Sequence, residues 1–333
     1  MVRPWLALAP LAAVVVAVAA ARADTPPPAP PSSCPADMRI VEHDHYEQLD
    51  RTCVDKRDGK HCYAYKPGSN RVRGTPVRSA SQQSVNNDIY HALGERWYNA
   101  QDDPVALLRA ESRLRNPFVA EELRARFAGR SLRILDIGCG GGFLSNYLAT
   151  QGHAVIGLDF ASDALKVARL HDATGRVEYI EGDAYRLPFP DGGFDAICCM
   201  DFLEHVEEPE LAICEAARVL APGGLFIYYT FNRNWLAWLV AIKGVEWFVR
   251  NTPPNLHVLR LFIKPEDLTS MCARSGLAVD SVRGMAPVVF SAAFRKLLTR
   301  HTVADSFAFR FTRSTKISYI GLARRIRDEQ FDF

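Results

Sequence analysis

Residues 132–148 read LRILDIGCGGGFLSNYL: an apolar run from Leu132 to Ile137, then Gly138-Cys139-Gly140-Gly141-Gly142, then Phe143, Leu144, Tyr147 and Leu148 at helical spacing. The pattern predicts a strand, a glycine turn and a helix. Glycines suit such a turn because it is tight and because a ligand must reach the backbone without a Cβ in the way. The next strand, Ala154 to Leu158, runs into Asp159. That acid lies about 20 residues beyond the glycines, where it can accept both hydroxyls of a ribose. A third strand, Val177 to Ile180, ends in Glu181-Gly182-Asp183-Ala184, which leaves Asp183 to meet an exocyclic amine. Three strand ends on one crevice predict an α/β fold with an open, doubly wound, mostly parallel sheet and an adenosine ligand at its edge.

A dinucleotide fingerprint G-x-G-x-x-G asks for glycine at 143, where this chain has Phe143, so NAD loses ground. Asp136 to Gly142 instead resembles the D-x-G-C-G-x-G motif of S-adenosylmethionine-dependent methyltransferases of the Rossmann-like class. The likeness continues through LPFPDGGFDAICCMDFLEHVEEP at 187–209, Ala221-Pro222-Gly223-Gly224, and the strand LFIYYT at 225–230. Upstream, LGERWY at 93–98 and LRNPF at 114–118 are similar to segments of the ubiquinone-biosynthesis O-methyltransferases, which methylate catechol hydroxyls on polyprenylated rings. So is the stretch from Thr230 to Pro265, with its Asn232-Arg233-Asn234, apolar helix, His257 and Phe262-Ile263-Lys264-Pro265.

This resemblance implies S-adenosyl-L-methionine as cofactor, held by Arg115, Asp136, Gly138, Gly140, Asp159, Asp183, Ala184 and Met200. It gives Arg115 the methionine carboxylate; without the resemblance that arginine reads first as a solvated helix charge. The implied acceptor is a phenol or catechol hydroxyl on a hydrophobic, polyprenylated quinone precursor. Another small-molecule acceptor, or an exported protein that binds an adenosine ligand without turnover, are the alternatives.

After a fourth strand, Ala196 to Cys199, comes Met200-Asp201-Phe202-Leu203-Glu204-His205. In a helical turn Asp201, Glu204 and His205 would share one face. One reading makes them magnesium ligands, as in the resembling family, where glutamate stands in place of Asp201. A cation there would favour a phenolate over a phenol that titrates near ~10. The rival is metal-free, with His205 as general base and Glu204 beside it; a structural helix cap is a third. Methyl transfer from a sulfonium needs no nucleophilic side chain, so Cys139, Cys198 and Cys199 read as small buried residues.

With 333 residues, 48% hydrophobic and 23% charged, the chain has the apolar content for a core, and a formal charge of +2 supplies no field for gripping nucleic acid. Residues 235–250 are nearly apolar all round, interrupted by Lys243, Gly244 and Glu246. Either the core covers them or they form an interfacial lid in peripheral contact with a membrane, with Trp235, Trp238 and Trp247 as anchors. Pro265 to Gly276 reads as a helix, Leu277 to Arg283 and Ile317 to Ala323 as strands, and 287–327 as a long basic tail region.

At the other end, Arg3, an apolar run from Leu6 to Ala21 and Ala21-Arg22-Ala23 read as a secretory signal, 1–23. A proline-rich linker, 24–33, follows. Then comes a small Cys-containing segment, 34–67, whose Cys34, Cys53 and Cys62 fit one disulfide and a leftover thiol better than a metal site. A second linker, 68–84, leads to the methyltransferase domain, 85–327, and a tail, 328–333. The signal reading conflicts with the chemistry, because the methyl donor is made in the cytosol; the chemistry expects the cytoplasmic face of a membrane.

Overall fold

The computed structural model describes residues 93–326 and the backbone of four short strands upstream. Its elements are α1 (Val105–Arg126), β1 (Arg133–Ile137), α2 (Phe143–Thr150), β2 (Ala154–Asp159), α3 (Ser162–Leu170), β3 (Glu178–Glu181) and β4 (Phe194–Met200). These are followed by α4 (Pro209–Val219), β5 (Leu220–Phe231), α5 (Pro265–Arg274), β6 (Leu277–Pro287), α6 (Ala292–Arg300), β7 (Phe309–Thr312) and β8 (Ser318–Arg325).

Side chains alternate along a strand, so a strand that is apolar at every position must be covered on both faces. In β1, Ile134 packs with Val119 and Leu123 of α1 and Leu144 and Leu148 of α2, whereas Leu135 and Ile137 pack with Ile213 of α4 and Leu268 of α5. The result is a sheet between two helical layers. Its eight strands run β7-β6-β8-β5-β4-β1-β2-β3. Strands β1 to β5 pair in parallel, while β8 pairs antiparallel with β5, β6 with β8 and β7 with β6. This is the Rossmann-like arrangement expected, with the chain reversing direction across the sheet between β1 and β4.

Several boundaries differ from the sequence reading. Strand β2 takes in Asp159, β6 runs on to Pro287, and the closing strand is Ser318–Arg325. Helix α1 escapes a periodicity search because its buried face carries Glu111, Ser112, Arg115 and Asn116, and Pro117 sits inside it. Inside the long basic region, α6 and β7 form an insertion before the closing strand.

The segment 235–248 is helical, with a widened π turn at Trp238–Lys243 between Trp235–Ala237 and Gly244–Phe248. The core covers it on one side only. Ala237, Ala241 and Ile242 pack on Phe231 and Phe262, while Trp235 is 72% exposed, Trp247 55% and Trp238 37%. Among the described residues no helix is long and apolar enough to cross a membrane.

The signal-like segment, the linker 24–33 and the tail 328–333 lie outside the described residues. So does most of 34–84, where two antiparallel pairs are described: His45–Asp50 with Arg71–Val77, and Cys53–Asp55 with Ala64–Tyr65.

Candidate active site

The glycine turn after β1 is left-handed at Gly138, Gly140 and Gly142, with φ of 70°, 51° and 80°. It is also crowded. A Cβ on Gly138 would stand 2.6 Å from the Phe202 ring, and one on Gly141 2.8 Å from the Trp97 indole. Two aromatic side chains therefore flank the turn, Phe202 from the end of β4 and Trp97 from the helical turn Arg96–Asn99. The Tyr98 hydroxyl donates to the Gly141 carbonyl at 2.8 Å, which ties that N-terminal turn to the glycines.

Asp159 closes the loop from the other side: Oδ2 accepts the Gly140 N–H and Oδ1 the Ala161 N–H, both at 2.8 Å. Asp136 accepts the Ser145 hydroxyl at 2.6 Å, and burial pushes its carboxyl up to about 7. Asp183 accepts the Tyr185 N–H at 2.8 Å, Ala184 beside it is buried, and Met200 ends β4 half-buried. The structure thus gathers Asp136, Gly138, Gly140, Asp159, Asp183, Ala184 and Met200 along the C-terminal ends of β1 to β4, where open parallel sheets bind ligands.

Arg115 approaches the same ends from α1 and is buried, not a solvated charge. One Nη donates to Asp201 at 2.6 Å, the other lies 3.8 Å from Glu111, and the guanidinium sits 4.2 Å over the Tyr229 ring. Burial works against its charge, yet Asp201 and Glu111 hold its pKa above the ordinary arginine value. Its Nε and second Nη have no hydrogen-bond partner. Burial and the charge on Asp201 push Glu111 up to about 8. Glu111 meets the Tyr229 hydroxyl at 3.1 Å, which in turn reaches Ser318 at 2.8 Å. Glu111 and Tyr229 are site residues the sequence reading missed. The signal for Glu111 was its position one helical turn before Arg115.

The expected helical face of Asp201, Glu204 and His205 does not form. Asp201 takes a left-handed φ of 51°, and only Leu203–His205 makes a turn, of 3-10 type. Asp201 is committed to Arg115. Glu204 is buried, with Oε2 accepting the Thr230 hydroxyl at 2.8 Å, and burial pushes its carboxyl up to about 8. A divalent cation wants ionised oxygens converging on one point. Here Asp201 Oδ2 is held by Arg115 and Glu204 Oε2 by Thr230, and the three side chains share no helical face, so as placed they do not fit magnesium. Among the described residues no group of three His, Cys, Asp or Glu side chains could hold a metal ion.

His205 keeps partial exposure and faces His257, ring centres 5.3 Å apart. Burial pushes His205 down to about 4 and His257 to about 3, so both imidazoles are neutral. The thiols of Cys139, Cys198 and Cys199 are buried, as expected, and burial raises each pKa well above the ordinary value.

A family model described as a methyltransferase domain matches residues 135–228. The chain is 36% identical over 217 residues to the ubiquinone biosynthesis O-methyltransferase of Xanthomonas axonopodis pv. citri (strain 306), covering 63% of this chain and 87% of that protein. It is 36% identical over 219 residues to the protein of the same name from Bordetella avium (strain 197N), covering 63% of this chain and 89% of that one. Among solved structures, the magnesium protoporphyrin IX methyltransferase of Synechocystis PCC 6803 with bound SAH superposes with a TM-score of 0.52 at 20% identity, over 73% of this chain and 99% of that chain.

Proposed function

Since the chain belongs to the family of the ubiquinone biosynthesis O-methyltransferases and is an S-adenosylmethionine-dependent methyltransferase, we propose that it methylates a phenolic hydroxyl on a hydrophobic, polyprenylated quinone precursor. The observation that carries the reading is a neutral, half-buried imidazole, His205, beside the crevice that collects the cofactor-type residues.

In this reading Asp159 accepts the ribose hydroxyls and Asp183 the adenine amine. The amino-acid end of the cofactor, one carboxylate and one ammonium, meets the opposite charges of the Arg115–Asp201 pair, with the unpartnered Nε and Nη donors of Arg115 taking the carboxylate. A lone pair of the acceptor oxygen forms the new C–O bond, the C–S bond breaks with its electron pair going to sulfur, and the sulfonium becomes a neutral thioether. The phenolic proton passes to His205. An imidazole this weakly basic takes the proton late, once C–O bond formation has made the oxygen far more acidic. Glu204 is buried, with its Oε2 taken by the Thr230 hydroxyl. No step runs through a metal.

The outer side of 235–248, with Trp235, Trp238 and Trp247 turned to solvent, is the surface we assign to peripheral membrane contact. In this reading the enzyme works at the cytoplasmic face, where donor and lipid-soluble acceptor are both available. The test is a panel of alkylated phenols and catechols with radiolabelled methyl donor, run with and without EDTA. The expected result is a methyl ether formed equally well in both; binding of the donor without product on any ring would leave a binder without turnover.

A further inference from the structure

Glu111 and Tyr229 lie against Arg115 and have no part in the reaction as written above. Tyr229, on β5, holds its ring 4.2 Å from the Arg115 guanidinium, and Glu111 precedes Arg115 by one turn of α1. Both are buried, as is Ser318 on β8. Glu111 Oε1 is 3.1 Å from the Tyr229 hydroxyl, that hydroxyl is 2.8 Å from Ser318 Oγ, and Ser318 Oγ is 3.0 Å from the Met285 carbonyl on β6. A carbonyl only accepts, so the serine donates to it; a hydroxyl has one proton, so Ser318 then accepts from Tyr229. With the tyrosine proton committed there, the contact with Glu111 is a hydrogen bond only if the carboxyl supplies the proton. Counted in this way the chain runs in one direction and begins at a neutral carboxylic acid. Burial and the charge on Asp201 act the same way on Glu111, pushing it up to about 8.

The charge on Glu111 decides what Arg115 can still hold. Asp201 takes one Nη at 2.6 Å, and Glu111 Oε2 lies 3.8 Å from the other, which has no hydrogen-bond partner. An ionised Glu111 is a second carboxylate beside that guanidinium and repels a third, the one the cofactor brings. Resting on the assignment of Arg115 to the methionine carboxylate, we infer that Glu111 is a positioning residue, held by Tyr229 and Ser318 as a neutral acid, which keeps the open donors of Arg115 for the cofactor. Loss of its proton closes the amino-acid subsite. The charged and titratable groups that face Glu111 are Arg115 on its own helix, Asp201 from the end of β4 and Tyr229 from β5. Arg115 stays charged around neutral pH and burial keeps Tyr229 protonated, while Asp201 is the anion of the ion pair.

The test measures, by calorimetry on the full chain, the preference for S-adenosylhomocysteine over 5′-methylthioadenosine, which has the same nucleoside and thioether but no amino-acid end. A general loss of structure weakens both ligands and leaves the ratio alone. The ligand's own ammonium titrates at mildly alkaline pH in every variant, so Glu111→Gln, a permanently neutral amide that still donates to Tyr229, is the reference. Between pH ~7 and ~9 the wild-type preference falls about tenfold further than that of Glu111→Gln, as a group with a pKa of about 8 loses its proton. Tyr229→Phe keeps the ring under the guanidinium but removes the oxygen that receives the acid proton, so the fall moves to lower pH by about one unit. Equal falls in the wild type and Glu111→Gln overturn the inference. So does a fall that moves to higher pH in Tyr229→Phe, which shows the tyrosine donating to an ionised carboxylate; this arm stands without the glutamine variant should that fail to fold. If Arg115→Met keeps the wild-type preference, the assignment of Arg115 falls first and takes the inference with it. A preference that Arg115→Met abolishes but pH does not alter overturns the inference alone.

Discussion

Replacing Arg115 with Met removes a buried cation and separates its structural role from its role toward the cofactor. Arg115 is 2.6 Å from Asp201, and both side chains are largely buried, at 5% and 13% exposure. Truncating one partner of such a pair strands the other charge, at a cost of about 3–5 kcal/mol. For a domain of this size that corresponds to a Tm lowered by about 6–20 °C. Removing Asp201 as well, in Arg115→Met/Asp201→Asn, leaves no stranded charge and recovers at least about 2 kcal/mol of the loss. Cofactor affinity follows a different course. A charge-assisted grip on the methionine carboxylate is worth about 1.5–3 kcal/mol, so Arg115→Met binds S-adenosylmethionine about 10–150-fold more weakly and the double variant, which also lacks the partner of the ammonium, at least as weakly. Thermal melts and titration calorimetry on the three proteins read the two effects separately. A double variant that regains affinity together with stability, or an Arg115→Met protein that binds like the wild type, would refute the assignment of Arg115 to the cofactor.

His205 accepts a proton only when neutral, and burial holds it down to about 4, so kcat/KM is flat down to pH ~5.5 and its acid limb lies below that. A limb at the ordinary histidine value of ~6.5 contradicts this. Glu111 and Glu204 have folded pKa values pushed up by burial to about 8, against ~4.3 for an unfolded glutamate. Their contribution to stability is therefore complete at low pH and is lost as pH rises toward 8; Tm falls between pH ~6.5 and ~8, and Glu111→Gln flattens that slope. A Tm rising over that range sinks the argument. The full chain co-floats with anionic liposomes, and Trp235→Ser/Trp247→Ser releases it without lowering Tm by more than a degree or so, since both side chains are already in solvent. Wild-type protein that stays behind in the flotation gradient removes the membrane assignment.

The parallel half of the fold was legible because its signals are local. Each βα unit carries an apolar run, a glycine or acid at the strand end and an apolar helical stripe, and Asp136, Gly138, Asp159 and Asp183 fall where those units end. Helix α1 was hidden because its inward face is mixed: Glu111, Ser112, Arg115 and Asn116 are buried among Val105, Ala110, Val119 and Leu123 to build the site, so the apolar stripe is broken. The expected clustering of Asp201 with Glu204 and His205 failed for a reason that spacing cannot show. Asp201 leaves helical geometry to meet an arginine 86 positions earlier in the chain, a pairing that only the tertiary fold creates. The segment 235–248 gave two readings because its apolar residues do two things, some packing on Phe231 and Phe262 and the tryptophans facing outward.

The structure of the protein with S-adenosylhomocysteine and an alkylated catechol bound tests the account most directly. The account predicts the ribose hydroxyls on Asp159, the amino-acid carboxylate on the Nε and Nη donors of Arg115, and one catechol oxygen within hydrogen-bond distance of His205 on a line toward the thioether sulfur. A nucleoside seated away from the glycine turn, or a catechol whose hydroxyls face away from His205, would contradict it.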